Sequence, residues 1–205
     1  MKNFYKLNLS KYSTHNIIRS NVGSNKTVLD VGCNDGYIGK ISDSTNRFYG
    51  LDASEESVGI AQEIYEKAIQ YDLNHLIILP WDVKFDVIIF ADVLEHVLYP
   101  ETVLNYFVKN YLKEDGKVII SLPNIANWRI RLDFLFGKFD YTDSGIMDRT
   151  HLHLYTYKTA FEFMSKSNLK IERVLGGASI FGFIISVMPF LKSLLSTNII
   201  IIIIK

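Results

Sequence analysis

The chain has 205 residues, enough for one sizeable core, and its 48% hydrophobic and 21% charged residues exclude a largely disordered protein. Twenty-two Lys and Arg balance 22 Asp and Glu, so no net field gathers nucleic acid, and nucleic acid is not expected as a partner. The only cysteine, Cys33, cannot form an internal disulfide and suits a reducing, cytoplasmic setting. The first residues, MKNFYKLNLSKYSTHN, contain no uninterrupted apolar stretch and do not read as a secretory signal. With no repeat or low-complexity linker and only four prolines, a single domain over 1–205 is expected.

Thr27 to Val31 is an apolar, β-branched run that enters the glycine-rich turn Gly32 to Gly36. Arg47 to Asp52 reads as a second strand, and Ser54 caps a helix with Glu55 and Glu56 in its first turn. Val58, Ala61, Tyr65 and Ala68 recur at helical spacing and extend that helix. Ala68 to Leu73 is a short third strand whose start competes with the helix end. Phe85 to Ala91 is nearly continuously apolar, as the centre of a parallel sheet requires. Leu104, Phe107, Val108 and Tyr111 mark a helix face, Asp115-Gly116 a turn, and Lys117 to Leu122 a fifth strand closed by Pro123. Alternation of strands and helices at this pitch predicts an α/β fold with a doubly wound, Rossmann-like sheet and right-handed crossovers.

After Pro123 the rhythm changes. Residues 123–155 are rich in aromatics, Arg, Asp and His and lack a clean strand, which predicts a substrate-covering insertion beside the ligand edge. A helix from about Tyr157 to Ser167 and a strand from Leu169 to Gly176 lead back to the sheet. Ala178 to Ile204 spans 27 residues with one charge, Lys192, long enough in principle to cross a bilayer. Pro189, Lys192 and the run Ser196, Thr197, Asn198 divide it into a short helical piece and a strand from Asn198 to Lys205. Six successive isoleucines suit a strand buried on both faces, so that is the reading adopted, with membrane association through 178–204 as its rival.

Ligands of such sheets sit beyond the carboxyl ends of the strands. In VLDVGCNDG, Asp30 closes the first strand, and Gly32 and Gly36 let backbone approach a ligand at the start of a helix. The free amides there suit a carboxylate, and Asp30 suits an ammonium group while repelling phosphate, so the corner fits an amino-acid zwitterion better than a pyrophosphate. Asp52, at the second strand end, is placed to accept both ribose hydroxyls, and Asp72, in YDLN, to reach an adenine amino group. A dehydrogenase would want G-x-G-x-x-G, but Asn34 stands at the second glycine position. The three acids and this departure favour S-adenosyl-L-methionine over a nicotinamide cofactor.

VLDVGCNDG, LDAS, YDLN, FDVIIFADVLEHV and the DG turn before VIISLPN resemble, in order and spacing, the motifs of class I S-adenosylmethionine-dependent methyltransferases over roughly residues 26–176. SLPNIANWRIRL followed by GIMDRTHLHLYT is similar to the MetW-like branch and to methyltransferases of bacterial surface-polysaccharide clusters. The resemblance implies a seven-stranded sheet, mostly parallel with an antiparallel last strand formed by the isoleucine run. It also implies that Asp30, Gly32, Cys33, Asn34 and Gly36 line the methionine end of the cofactor, Asp52 and Ala53 the ribose, and Asp72 and Leu73 the adenine, with Ala91 at the fourth strand tip among the cofactor contacts.

Methyl transfer from a sulfonium is an in-line displacement in which alignment supplies much of the acceleration. A base is needed mainly for a hydroxyl acceptor, and histidine suits that task. His96, in ADVLEHV, is the first candidate; His151 and His153, in DRTHLHLYT, follow, and both would share one face if that stretch were extended. Asp92, Glu95 and His96 fall at spacing that shares a helix face. Ubiquinone-pathway and small-RNA methyltransferases use a similar acid-x-x-Glu-His group for a divalent metal; with Asp in place of their first Glu and no further ligand in view, no metal is expected here. Trp128, Arg129 and Arg131 are candidates for holding an anionic or sugar acceptor. The expected function is methylation, at oxygen, of a small molecule or saccharide unit. The alternatives are a MetW-type partner in methionine biosynthesis, a cofactor-binding scaffold without turnover and, more distantly, a dehydrogenase.

Overall fold

The computed structural model describes residues 10–165, 169–178 and 180–205. Seven strands form one sheet: β1 (Thr27–Val31), β2 (Arg47–Asp52), β3 (Lys67–Gln70), β4 (Phe85–Ala91), β5 (Leu112–Pro123), β6 (Lys170–Gly177) and β7 (Asn198–Ile204). Their order is β3-β2-β1-β4-β5-β7-β6, with β7 antiparallel to both neighbours and the first five strands mutually parallel. The doubly wound sheet with one antiparallel strand is the architecture expected from the sequence.

Strand alternation sorts the core into two layers. Leu29, Val31, Ile88, Phe90, Val118 and Ile120 face α4 (Pro100–Tyr111) and α6 (Tyr157–Ser165). Val28, Val87, Ile89 and Ile119 face α1 (Thr14–Val22), α2 (Tyr37–Ile41) and α3 (Glu55–Ala61). The isoleucine run follows the same rule: Ile199, Ile201 and Ile203 enter the first layer and Ile200 the second, and Ile199 to Ile203 are all buried. Burying a side chain of this size stabilises by about 1.5–3 kcal/mol, which is why so apolar a strand sits inside the sheet between β5 and β6. Among the described residues no helix is long and apolar enough to cross a membrane; the 178–204 stretch divides into α7 (Gly182–Val187), α8 (Lys192–Leu195) and β7.

Three boundaries differ from the sequence reading. The helix after Ser54 stops at Ala61 and does not run through Tyr65 to Ala68; the chain turns so that the Tyr65 hydroxyl reaches Asp30, and Ala68 pairs with Gly50 in β3. β3 ends at Gln70, opposite the last residue of β2, so Asp72 and Leu73 lie in the turn beyond it. β5 already begins at Leu112, with an irregularity between Leu112 and Lys117 where a turn was expected. Of the helix expected to reach Ser167, α6 ends at Ser165, and Ser167 is outside the described residues.

Residues 124–155 contain one helix, α5 (Trp128–Leu135), followed by loops. Leu152 and His153 donate their backbone N–H groups to the carbonyl of Glu95, at 2.8 and 3.2 Å, tying this segment to the chain that leaves β4.

Candidate active site

The turn after β1 is built on glycine for a steric reason. Gly32 has φ 74°, and its N–H and that of Cys33 donate to Leu51 O at 2.7 and 2.9 Å, latching the turn to β2. A Cβ on Gly32 would collide with the Val93 side chain, in a conformation that L residues rarely adopt. Gly32→Ala is therefore expected to destabilise by about 2 kcal/mol or more and to lower cofactor affinity; a thermal midpoint within a degree of wild type would contradict this account.

Asn34 follows at φ 48°, a left-handed conformation that short polar residues tolerate. Its N–H donates to Asp52 Oδ2 at 2.8 Å, while Asp52 Oδ1 accepts from the N–H of Ser54, the cap of α3, at 2.9 Å. One carboxylate thus pins the glycine turn and the next helix start. Gly36, at φ 77°, precedes α2.

Beyond the ends of β1, β2 and β4 lies a cavity of ≈ 370 Å³, a size that suits a nucleoside-bearing ligand. Gly32, Asn34, Asp52, Ala53, Asp72, Leu73, Ala91 and His96 all line it. Asp30, Cys33 and Gly36, expected at the methionine end, do not form its wall. Asp30 and Cys33 are buried on the side of α2 and α3, where Tyr65 donates to Asp30 Oδ2 at 2.6 Å and Asp30 Oδ1 has no hydrogen-bond partner. Burial pushes the Asp30 carboxyl up to about 7, against the Tyr65 bond, with the nearby Asp52 charge adding to the rise. Burial also raises the Cys33 thiol, making it a poor nucleophile.

Asp72 sits in its turn with Oδ1 accepting from Asn74 N–H at 2.9 Å and Oδ2 2.7 Å from His75 Nδ1, bonds that lower its carboxyl. Sequence reasoning missed Tyr37, Tyr71, Asn74, Asp92, Val93 and Val97 in the wall. Asp92 carried a signal that was read differently. It was grouped with Glu95 and His96, but its φ is 54° and its Oδ1 accepts from Ser121 Oγ at 2.7 Å and Asn198 Nδ2 at 2.9 Å, so it turns back to the sheet. Burial raises its carboxyl, and the charge of His15, from α1, works the other way.

His96 and Glu95 lie in a 3₁₀ turn, Leu94–His96, and not along a helix face. His96 Nδ1 is 3.0 Å from Thr150 Oγ1 and 3.2 Å from Thr150 O, and its ring packs edge-on against His151 with centroids 4.8 Å apart. His153 goes elsewhere, its Nε2 3.0 Å from Val97 O. The stretch holding the two histidines is not extended, so the shared face expected for His151 and His153 is absent. Glu95 is fully buried and both its carboxyl oxygens lack a hydrogen-bond partner; His151 Nε2 stands 3.9 Å from Oε1. Burial raises the Glu95 carboxyl, with Asp92 reinforcing it, and burial lowers the His151 imidazole. Burial thus disfavours the charged form of each, which weakens any ion pairing across this contact.

Of the acceptor candidates, Arg129 lines a second cavity of ≈ 410 Å³ between α5 and residues 138–147, with Asp133, Lys138 and Asp140. Arg131 Nε donates to Ala126 O at 2.7 Å, and Trp128 packs edge-on against Phe181.

Residues 12–188 match the family described as methionine biosynthesis protein MetW. The ubiquinone biosynthesis O-methyltransferases of Azoarcus sp. (strain BH72) and Glaesserella parasuis serovar 5 (strain SH0165) are each 32% identical, over 107 and 115 residues, covering 48% of this chain and 45% and 46% of theirs. The chain thus spans about half the length of these curated relatives. An S-adenosylmethionine-dependent methyltransferase from Methanosarcina mazei superposes with TM-score 0.63 at 16% identity, covering 94% of this chain and 98% of that one. One from Mesorhizobium loti gives 0.62 at 16%, covering 93% and 96%. The magnesium protoporphyrin IX methyltransferase of Synechocystis PCC 6803, solved with bound SAH, gives 0.59 at 18%, covering 92% and 78%. At these identities the likeness establishes a shared fold, that of class I methyltransferases.

Proposed function

This chain belongs to the MetW family, and from that premise we propose that it is an S-adenosylmethionine-dependent methyltransferase acting on an oxygen of a small molecule or saccharide unit. The observation that carries the reading is the convergence of Gly32, Asn34, Asp52 and Asp72 on one cavity at the carboxyl ends of the parallel strands. Asp52 offers an acceptor to the ribose hydroxyls, Asp72 and Leu73 flank the adenine, and the amides of the Gly32–Gly36 turn, backed by Asp30 and Cys33, hold the methionine end. Ala91 closes the cavity on the side of β4.

The cofactor supplies an electrophilic methyl group on sulfur. With the cofactor bound and supplying that methyl group, His96, at the cavity wall, would take the proton of the acceptor hydroxyl. Thr150 fixes the ring, His151 packs against it, and His153 holds the chain that carries them through Val97. Residues 123–155 cover the acceptor.

Calorimetry with S-adenosylhomocysteine and with NAD tests this: binding of the former alone is expected, and NAD binding without the former overturns the reading. Incubation with labelled cofactor and a panel of nucleotide sugars, glycans and metabolites then identifies the acceptor.

The family's description supports a second reading, a partner protein in methionine biosynthesis. It is favoured by large apolar side chains left at the surface, among them Leu135, Phe136, Phe183 and Phe190. Cofactor binding without methyl transfer to any acceptor in the panel would select it.

A further inference from the structure

A groove between α6, α8 and the strands β6 and β7 has no described lining residue in common with the cofactor cavity. From its shape and charge we infer a binding site for an apolar monocarboxylate of the medium-chain fatty acid class. The groove encloses ≈ 400 Å³, within the range of small-molecule sites. Ile199 and Ile201 of β7 form its floor, on the side of the sheet that faces α4 and α6. Ile171 and Val174 of β6 line one wall, Tyr157 and Phe161 of α6 the other, and Phe161 is 56% exposed. The lining is therefore apolar and open to a ligand.

Charge selects the occupant. Lys192, the first residue of α8, borders the groove with a half-buried side chain. Its Nζ lies 5.6 Å from the centroid of the Tyr157 ring and 3.5 Å from Val174 O, the far limit of a hydrogen bond. Among the described residues no carboxylate pairs with it. The chain in fact carries no Asp or Glu from Val174 to Lys205. Lys158, the second cation at the rim, is largely exposed and has Glu162 at 3.9 Å. A ligand in the groove thus meets one ammonium without a counter-charge above an aliphatic floor, which suits a carboxylate head on an apolar chain.

A lysine that only drapes its stem over an apolar surface keeps its head in water. Here the head stands over the Tyr157 ring, at the edge of the groove. The floor sets the length of the chain. Two strand steps from Ile199 to Ile201 span about 7 Å, and one helical turn from Tyr157 to Phe161 about 6 Å. An unbranched chain of about eight carbons, with bonds of about 1.5 Å, covers that distance. α8 ends at Ser196, whose carbonyl accepts from Asn124 and Asn127 Nδ2 at 3.0 and 2.9 Å, so the occupant would touch the element that holds the start of α5.

The test is calorimetry on the full chain with sodium octanoate and with octanol, its uncharged counterpart. One octanoate per chain is expected, bound at least about tenfold more tightly than octanol, because a hydrogen bond between charged groups is worth that factor or more. Hexanoate is expected to bind more weakly, by up to about fourfold for each methylene removed. Lys192→Met keeps the apolar stem and removes the charge. It is expected to keep the wild-type thermal midpoint and octanol affinity and to lose at least about tenfold in octanoate affinity, whereas Lys158→Met binds octanoate as wild type does. Saturating S-adenosylhomocysteine leaves octanoate binding unchanged. Absence of stoichiometric octanoate binding, equal affinity for octanol, wild-type octanoate affinity in Lys192→Met, or displacement by S-adenosylhomocysteine overturns the site. Adsorption to phosphatidylglycerol vesicles in place of octanoate binding makes this a bilayer-facing surface and overturns it as well. S-adenosylhomocysteine titrated alone reads the cofactor cavity, so failure of the methyl-transfer reading is seen separately.

Discussion

Replacing Asp52 by Ala is expected to weaken S-adenosylhomocysteine binding by roughly 100-fold or more, because one carboxylate serves both the ligand and the loops that surround it. A hydrogen bond to a charged group contributes about 1.5–3 kcal/mol, and two ribose hydroxyls would share this acceptor. The same oxygens hold Asn34 N–H and Ser54 N–H, so the Ala variant also frees the turn that carries the methionine-end amides. Asp52→Asn separates the two contributions. Its carbonyl oxygen can still accept from Asn34, preserving the turn, while the charge that strengthens the ribose bonds is gone; a loss of roughly tenfold is expected for it. Calorimetry at one pH and ionic strength reads both variants. If Asp52→Ala binds as wild type does, the carboxylate is a turn anchor only and the ribose lies elsewhere.

Asp52 also illustrates what the sequence makes legible. It is the last residue of β2, and a side chain at a strand tip reaches the ligand edge. Asp30 is one residue short of the tip of β1, on the same face as Val28, and parity sends its carboxyl into the layer beneath α2 and α3. Motif order identifies both acids, while only strand register separates their surroundings. The isoleucine run was readable for the converse reason, since burial on both faces makes parity irrelevant. The helix after Ser54 was over-extended because Tyr65 and Ala68 keep a helical period while serving other ends, a bond to Asp30 and a place in β3. Nothing local links Glu95 to His151. They meet through backbone bonds across the insertion, and periodicity carries no information about such a contact.

Asp30→Asn is expected to leave stability nearly unchanged at pH 4 and to raise it at pH 8. In the native wild-type protein the carboxyl keeps its proton up to about 7. In the unfolded chain an aspartate releases it at about 3.9. Between those values the native state binds more protons than the unfolded one, so stability falls as pH rises. The contribution of the neutral buried acid is complete below about pH 4 and lost by about pH 7, an amount on the order of 4 kcal/mol for a shift of about three pH units. Asparagine does not ionise and can accept the Tyr65 hydroxyl through its carbonyl oxygen, so its stability should not follow that decline. At pH 8 the thermal midpoint of the variant should exceed that of wild type by roughly 10 °C, given about 2–4 °C per kcal/mol for a chain of this size. Cofactor affinity should move the opposite way, because an ammonium group of the ligand would favour the ionised carboxylate and offset the burial that disfavours it. Midpoints that track wild type from pH 4 to 8 would mean that the carboxyl is ionised and solvated throughout. A stabilised variant with undiminished affinity would make Asp30 a core acid bonded to Tyr65, with no part in holding the methionine end.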